Sequence, residues 1–392
     1  MVAGHLQEKN GYYYVVLNLK DDQHKRRTKW VSTGLEVKKG NRKQAEKRLF
    51  EERQKYATVI RHAAHDMPFA DYMLYWLRTI KPDIELDTYS GYKSNIDLRI
   101  VPYFRLSGIT LGELDAANIQ EFYTYCRSDL GVSNNTVIHY HANISAALKY
   151  ALDMDFITTN PMAKVKRPKH IPYSASYYSI EELERLFDCV HGDGVEFPVL
   201  MAAFYGLRRS EIAGLRWRDV DFLNNTISIA HTVVQTTADG AAVIIAKDRA
   251  KNKTSCRSLP LVPQFKELLL RMREHQALCQ TICGNSYHQS EYIYVNDLGF
   301  PVKPNYISQH FSLVLKQNGL RKIRFHDLRH SCASLLLKNG VAMKDIQAWL
   351  GHSTFNTTAE FYAHLDAASK ENTGVAMAEA MDISRLLPAA QS

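Results

Sequence analysis

The first 63 residues combine two runs of strand-forming residues with one helical stretch. Tyr12 to Leu19 and Thr28 to Thr33 are rich in β-branched and aromatic residues, and the polar residues 21–25 between them predict a turn. Residues 41–60 then have the composition of a helix, with an asparagine at the start as a cap. The pattern predicts a small β-sheet followed by a helix.

The next part of the chain, residues 67–165, repeats its apolar residues every three or four positions. The clearest stripe runs from Phe69 to Ile80, as expected for an amphipathic helix. Similar stripes predict a second helix that ends at Pro102, a third that is capped by Asp115, and a fourth over residues 134–154. An all-α bundle of four helices is therefore predicted.

Residues 179–370 predict a mostly helical domain with one small antiparallel sheet. A capping-box pattern at Ser179 starts the first helix. Three strand-like runs follow, over residues 226–234, 241–246 and 258–261, and helices fill the rest. The predicted fold class is thus multidomain α+β. The predicted parts are a sheet-plus-helix domain at residues 1–63, a helical domain at 67–165, a linker at 166–178, a mostly α domain at 179–370 and a tail helix at 371–392.

The formal net charge of +8 is concentrated at the N-terminus. Residues 1–63 hold 15 of the 49 Lys and Arg residues but only 7 of the 41 Asp and Glu residues. A basic module of this size indicates a polyanionic partner such as DNA. The candidates for DNA contact there are Lys25, Arg26, Arg27 and Lys29, which follow the turn and the second strand.

The rest of the composition narrows the protein class. The six cysteines are scattered and form neither a disulfide framework nor a recognisable zinc pattern. No apolar run is long enough to cross a membrane, and the N-terminus lacks the layout of a signal peptide. A cytoplasmic protein without a membrane partner is expected.

The most informative chemistry lies near the end of the third predicted domain. His326 and Arg329 lie three residues apart at a predicted helix start, so they share one face of that helix. A second helix over residues 343–350 ends at a glycine, and His352 follows; a third helix would carry Tyr362. Two imidazoles, a guanidinium and a phenol on tightly connected helices suit the binding and attack of a tetrahedral anion.

These residues also carry a family resemblance. The segments His326-Asp-Leu-Arg329-His330, Leu350-Gly-His352 and Tyr362-Ala-His364 resemble the C-terminal boxes of tyrosine recombinases, also called phage integrases. The family's other box is present upstream as Gly206-Leu-Arg208-x-x-Glu211. The domain layout is similar to that of integrases of conjugative transposons, although phage integrases share the same boxes.

The resemblance implies a site-specific recombinase that cuts and rejoins DNA through a 3′-phosphotyrosine intermediate. Tyr362 would be the nucleophile, and Arg208 and Arg329 would clamp the phosphate. His326 would be the general base, and His352 would donate a hydrogen bond to a phosphate oxygen. This chemistry requires no cofactor, metal or ATP.

The general acid of the family is a lysine on a hairpin loop. Aligned on Arg257 and Pro260, the family pattern places it at Lys251, with Lys253 as the second candidate because hairpin loops vary in length. Glu211, His330 and His364 are expected to support the site rather than to react.

The resemblance also implies partners. Double-stranded DNA is the expected partner, at the element ends and at target or attachment sites. Further candidates for DNA contact are Lys93, Lys164, Lys166, Arg167 and Lys253. A homotetramer joined through the C-terminal tail is expected on DNA, and DNA-bending accessory proteins are further candidate partners.

Three other functions stay open at this level: a chromosome-dimer resolvase, a type IB topoisomerase, and a DNA-binding or architectural protein without catalysis. The basic N-terminal module argues against the first two, because they do not need a second grip on DNA. The intact set Arg208, His326, Arg329, His352 and Tyr362 argues against the third.

Overall fold

The computed structural model describes residues 3–20, 26–171, 176–238, 240–248 and 256–352. The chain divides into two units, residues 1–172 and 173–392. The helices predicted near Thr357 and over residues 371–392 lie outside the described residues. Within the described parts, no helix is both long and apolar enough to cross a membrane.

The first unit begins with a three-stranded antiparallel sheet that packs on a helix. The sheet has the order β1-β2-β3, and Val15 and Leu17 of its central strand are buried against Leu49 of the helix. The elements are β1 (Ala3–Lys9), β2 (Tyr12–Lys20), β3 (Arg26–Glu36) and α1 (Arg42–His65). The sequence pattern missed β1, because its residues are mostly polar and it exists through its pairing with β2.

The remainder of the first unit is a helical bundle around an aromatic core. Its helices are α2 (Phe69–Ile80), α3 (Leu86–Asn95), α4 (Val101–Ser107), α5 (Ala116–Ser128) and α6 (Asn134–Asp153). The prediction that Pro102 ends a helix is wrong. A π-helical segment, Ile96–Ile100, joins α3 to α4, and Pro102 lies in the first turn of α4, where its missing N–H is tolerated.

The second unit is mostly helical. Its helices are α7 (Ile180–Val190), α8 (Glu196–Tyr205) and α9 (Arg209–Ala213), followed after the strands by α10 (Pro263–Cys283), α11 (Pro304–Gln317), α12 (Asp327–Lys338) and α13 (Met343–Leu350). The predicted capping box at Ser179 is present at the start of α7. Helix α8 packs against α12 in the core of this unit.

The strands of the second unit form two separate sheets rather than the single sheet that the sequence predicted. They are β4 (Val220–Asp221), β5 (Thr226–Ile229), β6 (His231–Ala238), β7 (Ala241–Asp248) and β8 (Arg257–Pro260). The run over residues 226–234 is divided at Ala230, so β5 pairs with β4 and β8 while β6 pairs with β7 alone. The predicted fold class, multidomain α+β, is otherwise confirmed.

Candidate active site

Two helix ends meet where the box residues lie. Helix α8 ends at Gly206 and α13 ends at Gly351, both with positive φ, at +63° and +69°. A Cβ on Gly206 would lie 2.3 Å from a methyl carbon of Leu350, and one on Gly351 would lie 2.7 Å from Nη1 of Arg257. Glycine is therefore required by both backbone conformation and close approach, and the helix-end carbonyls point into the site.

Arg329 is held by these carbonyls. It is only 2% exposed, and its Nη1 donates to the carbonyl of Gly206 at 2.5 Å while Nη2 donates to that of Leu350 at 2.8 Å. Burial, together with the nearby charge of Arg208, lowers the pKa of Arg329. A guanidinium begins so far above neutrality that Arg329 stays charged.

Arg208 lies at the start of α9 and is partly exposed. Its Nη1 pairs with Oε1 of Glu211 at 2.9 Å, its backbone N–H donates to Oε2 at 3.0 Å, and Nη2 donates to the carbonyl of Gly351 at 3.4 Å. The side chain of Arg208 is 32% exposed, so part of it is open to solvent.

Glu211 links Arg208 to a third guanidinium. Its buried carboxylate also accepts from Nη2 of Arg257 at 3.0 Å, across 46 residues of chain. Burial by itself would raise the pKa of Glu211, but the charges and hydrogen bonds of Arg257 and Arg208 outweigh it and lower the pKa to about 2. Two guanidiniums thus share the carboxylate of Glu211, and with Arg329 and neutral histidines nearby the cluster is positive.

The histidines of the site are neutral at pH 7. His352 is 6% exposed, and burial with the charges of Arg329 and Arg208 lowers its pKa to about 3. His326 occupies the N-cap position of α12 without a side-chain capping hydrogen bond; it is exposed, but partial desolvation of its ring and the charge of His330 lower its pKa as well. The two rings of His326 and His330 stack edge to face at 5.4 Å. A neutral imidazole can accept a proton, so the protonation states fit acid–base work.

A cavity of about 680 Å³ opens beside Arg208 and His326. Its wall includes Lys322 and Arg324, which sequence reasoning did not select. The sequence feature that could have indicated these two residues is the basic run Arg-Lys-Ile-Arg directly before Phe325. Arg324 is itself oriented by the buried carboxylate of Asp327, at 2.8 Å from Nη2.

The remaining predicted residues fall into two groups. Lys25, Lys251, Lys253 and Tyr362 lie outside the described residues. The structure places the others in the first unit: Arg26, Arg27 and Lys29 on β3, Lys93 on α3, Lys164 at the end of a 3₁₀ turn, and Lys166 and Arg167 just after it.

The first-unit candidates differ in exposure. Arg27, Lys29, Lys164, Lys166 and Arg167 are exposed, and the ammonium of Lys29 lies 4.9 Å from the ring centre of Tyr56. Lys93 is half-buried and pairs with Asp97. The five exposed residues therefore present charges that are more accessible to a DNA phosphate than the charge of Lys93.

Known proteins resemble this chain in both sequence and fold. The phage integrase family matches residues 181–369, and the SAM-like N-terminal domain of phage integrases matches residues 68–126. A tyrosine recombinase XerC-like protein of Caldanaerobacter subterraneus is 24% identical over 93% of this chain and 95% of its own. The ICEBs1 integrase of Bacillus subtilis is 26% identical over 74% of this chain and 77% of its own.

A solved structure of the Tn1549 transposon integrase, in complex with transposon right end DNA, has a similar fold. It superposes with a TM-score of 0.64 at 20% identity, and the match covers 79% of this chain and 100% of that one. The two matching family models together span well over half of the 392 residues. The chain therefore belongs to the phage integrase family, and it is an enzyme of the tyrosine-recombinase class.

Proposed function

We propose that this protein integrates and excises a mobile element by cutting and rejoining duplex DNA at specific sites. The observation that carries the proposal is the convergence of Arg208 and Arg329 at the ends of α8 and α13, next to the neutral ring of His352. A positively charged site with neutral imidazoles suits a phosphodiester. The mobile-element integrases among its relatives support the same substrate.

The scissile phosphate would bind between the two guanidiniums. Arg208 is partly open to solvent, and Arg329 uses two of its five N–H donors on carbonyls, so both have donors for non-bridging oxygens. His352 would donate a third hydrogen bond. These fixed charges act in a partly buried site, where they stabilise the developing negative charge of the transition state.

The reaction would then proceed by in-line displacement. The phenolic oxygen of Tyr362 attacks phosphorus, its proton passes to His326, and the bond from phosphorus to the 5′-oxygen breaks. Lys251, or Lys253 in its place, donates a proton to that oxygen, which leaves as a 5′-hydroxyl. A 5′-hydroxyl of another strand reverses the step, so the phosphodiester energy is conserved and no ATP is consumed.

The rest of the chain would grip DNA. Residues 1–63 would bind secondary arm sites through Lys25, Arg26, Arg27 and Lys29, and residues 67–165 with the linker would clamp the core site. The exposed basic strand β3 supports the first role. Assembly as a homotetramer through residues 371–392, accessory bending proteins and a cytoplasmic location remain predictions.

The test of the nucleophile is a nicked suicide substrate that carries the element end, resolved on a denaturing gel. Wild type should form a covalent protein–DNA adduct and Tyr362→Phe should form none while it still binds the DNA. Tyr306→Phe is the matched control, because Tyr306 is a partly exposed tyrosine that stacks on His310 elsewhere in the unit. An adduct with Tyr362→Phe would refute the assignment.

The general acid is identified by leaving-group rescue. A substrate with a 5′-bridging sulfur needs no proton donor, because a thiolate is a good leaving group. The variant that lacks the acid, Lys251→Ala or Lys253→Ala, should cleave the ordinary substrate slowly, by about 10²- to 10⁴-fold, and the sulfur substrate at nearly the wild-type rate. If neither variant is rescued, the acid lies elsewhere.

A further inference from the structure

The C-terminal half of α10 carries three side chains with metal-ligand chemistry on one face. His275, Cys279 and Cys283 follow each other at intervals of four residues, so they stack along the helix over two turns. A carboxylate, Asp297, reaches the same face from the turn that follows the segment 291–295. None of the four belongs to the guanidinium cluster described above.

The ligand atoms of three of these residues converge. Nε2 of His275 lies 3.1 Å from Oδ1 of Asp297 and 3.4 Å from Sγ of Cys279, and the three atoms all lie within 4.8 Å of one another. Bonds of about 2.0 to 2.3 Å around tetrahedral zinc set neighbouring ligand atoms roughly 3.3 to 3.8 Å apart. Two of the three distances, 3.1 and 3.4 Å, are close to that range.

Cys283 lies on the same helix face beside this set, although the converging group itself consists of the other three residues. Its Sγ lies 3.9 Å from the backbone carbonyl of Asp297, so the thiol faces the same turn. Cys279 is buried, Cys283 is half-buried, and His275 and Asp297 are exposed. An ion can therefore enter from solvent and meet thiols on the inner side.

The turn that carries Asp297 is fixed by its own hydrogen bonds. The backbone N–H of Asn296 donates to the carbonyl of Phe300 at 2.9 Å, and the side-chain oxygen of Asn296 accepts from the N–H of Leu298 and Phe300. These bonds hold the backbone at Asp297 before any ion binds, which lowers the ordering cost of binding.

The helix is docked next to the turn. Gln276 of α10 donates from Nε2 to the carbonyl of Ile293 at 2.8 Å and accepts from the indole of Trp217 at 2.9 Å. The backbone N–H of Ile293 in turn donates to the carbonyl of Leu215 at 2.9 Å. The helix end and the turn are thus parts of one packed body that also includes the segment after α9.

We propose that His275, Cys279 and Asp297, with Cys283 as the fourth ligand, bind one divalent transition-metal ion of the zinc class. Mixed nitrogen, sulfur and oxygen ligands suit zinc or cobalt and not the all-oxygen preference of magnesium and calcium. With four protein ligands the site is closed, so the ion stabilises the fold by fastening the end of α10 to the 296–300 turn. It takes no part in strand cleavage.

The spacing explains why the sequence alone showed no zinc pattern. Known structural zinc signatures combine two pairs of ligands, and the two ligands of each pair are separated by two to five residues. Here the ligands are spread over two turns of a helix, and Asp297 follows 14 residues after Cys283. The set becomes recognisable only when α10 and the turn are seen together.

The test uses the full chain, stripped with a chelator, desalted and kept reduced. Addition of Co²⁺ should give a thiolate-to-cobalt charge-transfer band that saturates at one equivalent and disappears when Zn²⁺ displaces the cobalt. His275→Ala and Asp297→Ala change exposed residues and should weaken cobalt binding at least about tenfold each. Cys279→Ser should abolish most of the band.

Cys189→Ser is the matched control, because Cys189 is a half-buried free thiol on α7. It should leave both the band and the affinity unchanged. The proposal is overturned if wild type shows no thiolate band, or if His275→Ala and Asp297→Ala both bind cobalt as wild type does. These two variants keep the test decisive even if Cys279→Ser does not fold. An increase of the unfolding temperature by Zn²⁺ in wild type but not in His275→Ala would support the fastening role.

Discussion

Replacement of Glu211 by glutamine tests how the guanidinium cluster is held. The carboxylate is fully buried and joins Arg208, at 2.9 Å, to Arg257, at 3.0 Å. Glutamine keeps the shape but removes the negative charge, so the partly exposed Arg208 and the buried Arg257 lose the counter-charge that they share. Arg208 also loses the partner that orients it toward the phosphate.

The size of the effect follows from the pKa. The folded protein lowers the pKa of Glu211 from 4.5 to about 2, which corresponds to about 3 kcal/mol in favour of the ionised form. Loss of one partner of a buried ion pair costs roughly the same, 3 to 5 kcal/mol. For a unit of this size, a loss of 3 to 5 kcal/mol should decrease the unfolding temperature by about 6 to 20 °C.

The pH dependence of the stability difference tests independently whether the charge of Glu211 is stabilising. Because the pKa of Glu211 is lower in the folded state, its stabilising contribution is fully present above about pH 4.5 and is lost as the pH falls through about 2. The stability difference between wild type and Glu211→Gln should therefore be constant near neutrality and should shrink in acid.

Urea unfolding at pH 7, followed by circular dichroism, measures the free energy, and the suicide-substrate assay measures adduct formation. Glu291→Gln is the matched control, because Glu291 pairs with Arg218 at 3.5 Å on the surface and its loss should cost less than about 1 kcal/mol. A change below about 1 kcal/mol in Glu211→Gln, with a normal adduct rate, would refute the reasoning.

Three further predictions follow from the same structure. The pKa of His352 falls from 6.5 to about 3 on folding, so the free energy of unfolding should decrease by up to about 1.4 kcal/mol per pH unit as the pH falls below 6.5; urea titrations should show a smaller slope in His352→Gln. Gly351→Ala should cost more stability and adduct rate than Gly340→Ala, because both glycines have positive φ but only a Cβ at position 351 collides with Arg257; equal losses would contradict this. Deletion of residues 1–63 should spare cleavage of a core site and weaken complete recombination on substrates with arm sites; loss of core cleavage would contradict the arm-binding role.

Local elements were predictable wherever a strong start or stop signal stood in the sequence. Asn339-Gly340 ends α12 and Gly351 ends α13, and the predicted span of the second helix, Met343 to Leu350, matches the observed one. The cap at Asp115 is present as well. Each signal acts within one turn of chain, so neighbouring residues suffice to read it.

Features that depend on distant parts of the chain were not predictable. Glu211 was expected to orient Arg208, but its bond to Arg257 joins α9 to β8, and no local pattern encodes such a pairing. The run over residues 226–234 looks like one strand by propensity, yet its two halves find different partners. The Glu211–Arg257 pair and the division of the 226–234 run are both set by strand pairing and tertiary packing, which override the local strand propensity of the residues.

The seating of Arg329 on two helix-end carbonyls affects how mutants of this residue can be interpreted. Gly206 and Leu350 belong to segments that are 144 residues apart in the chain, and the guanidinium joins them in the interior. Arg329→Lys or Arg329→Ala would leave at least one buried carbonyl without its donor, so the fold and the chemistry would suffer together. A recombination defect caused by a change at Arg329 therefore does not separate loss of catalysis from loss of folding. Genetic screens for inactive but well-folded protein should recover changes at the partly exposed Arg208 far more often.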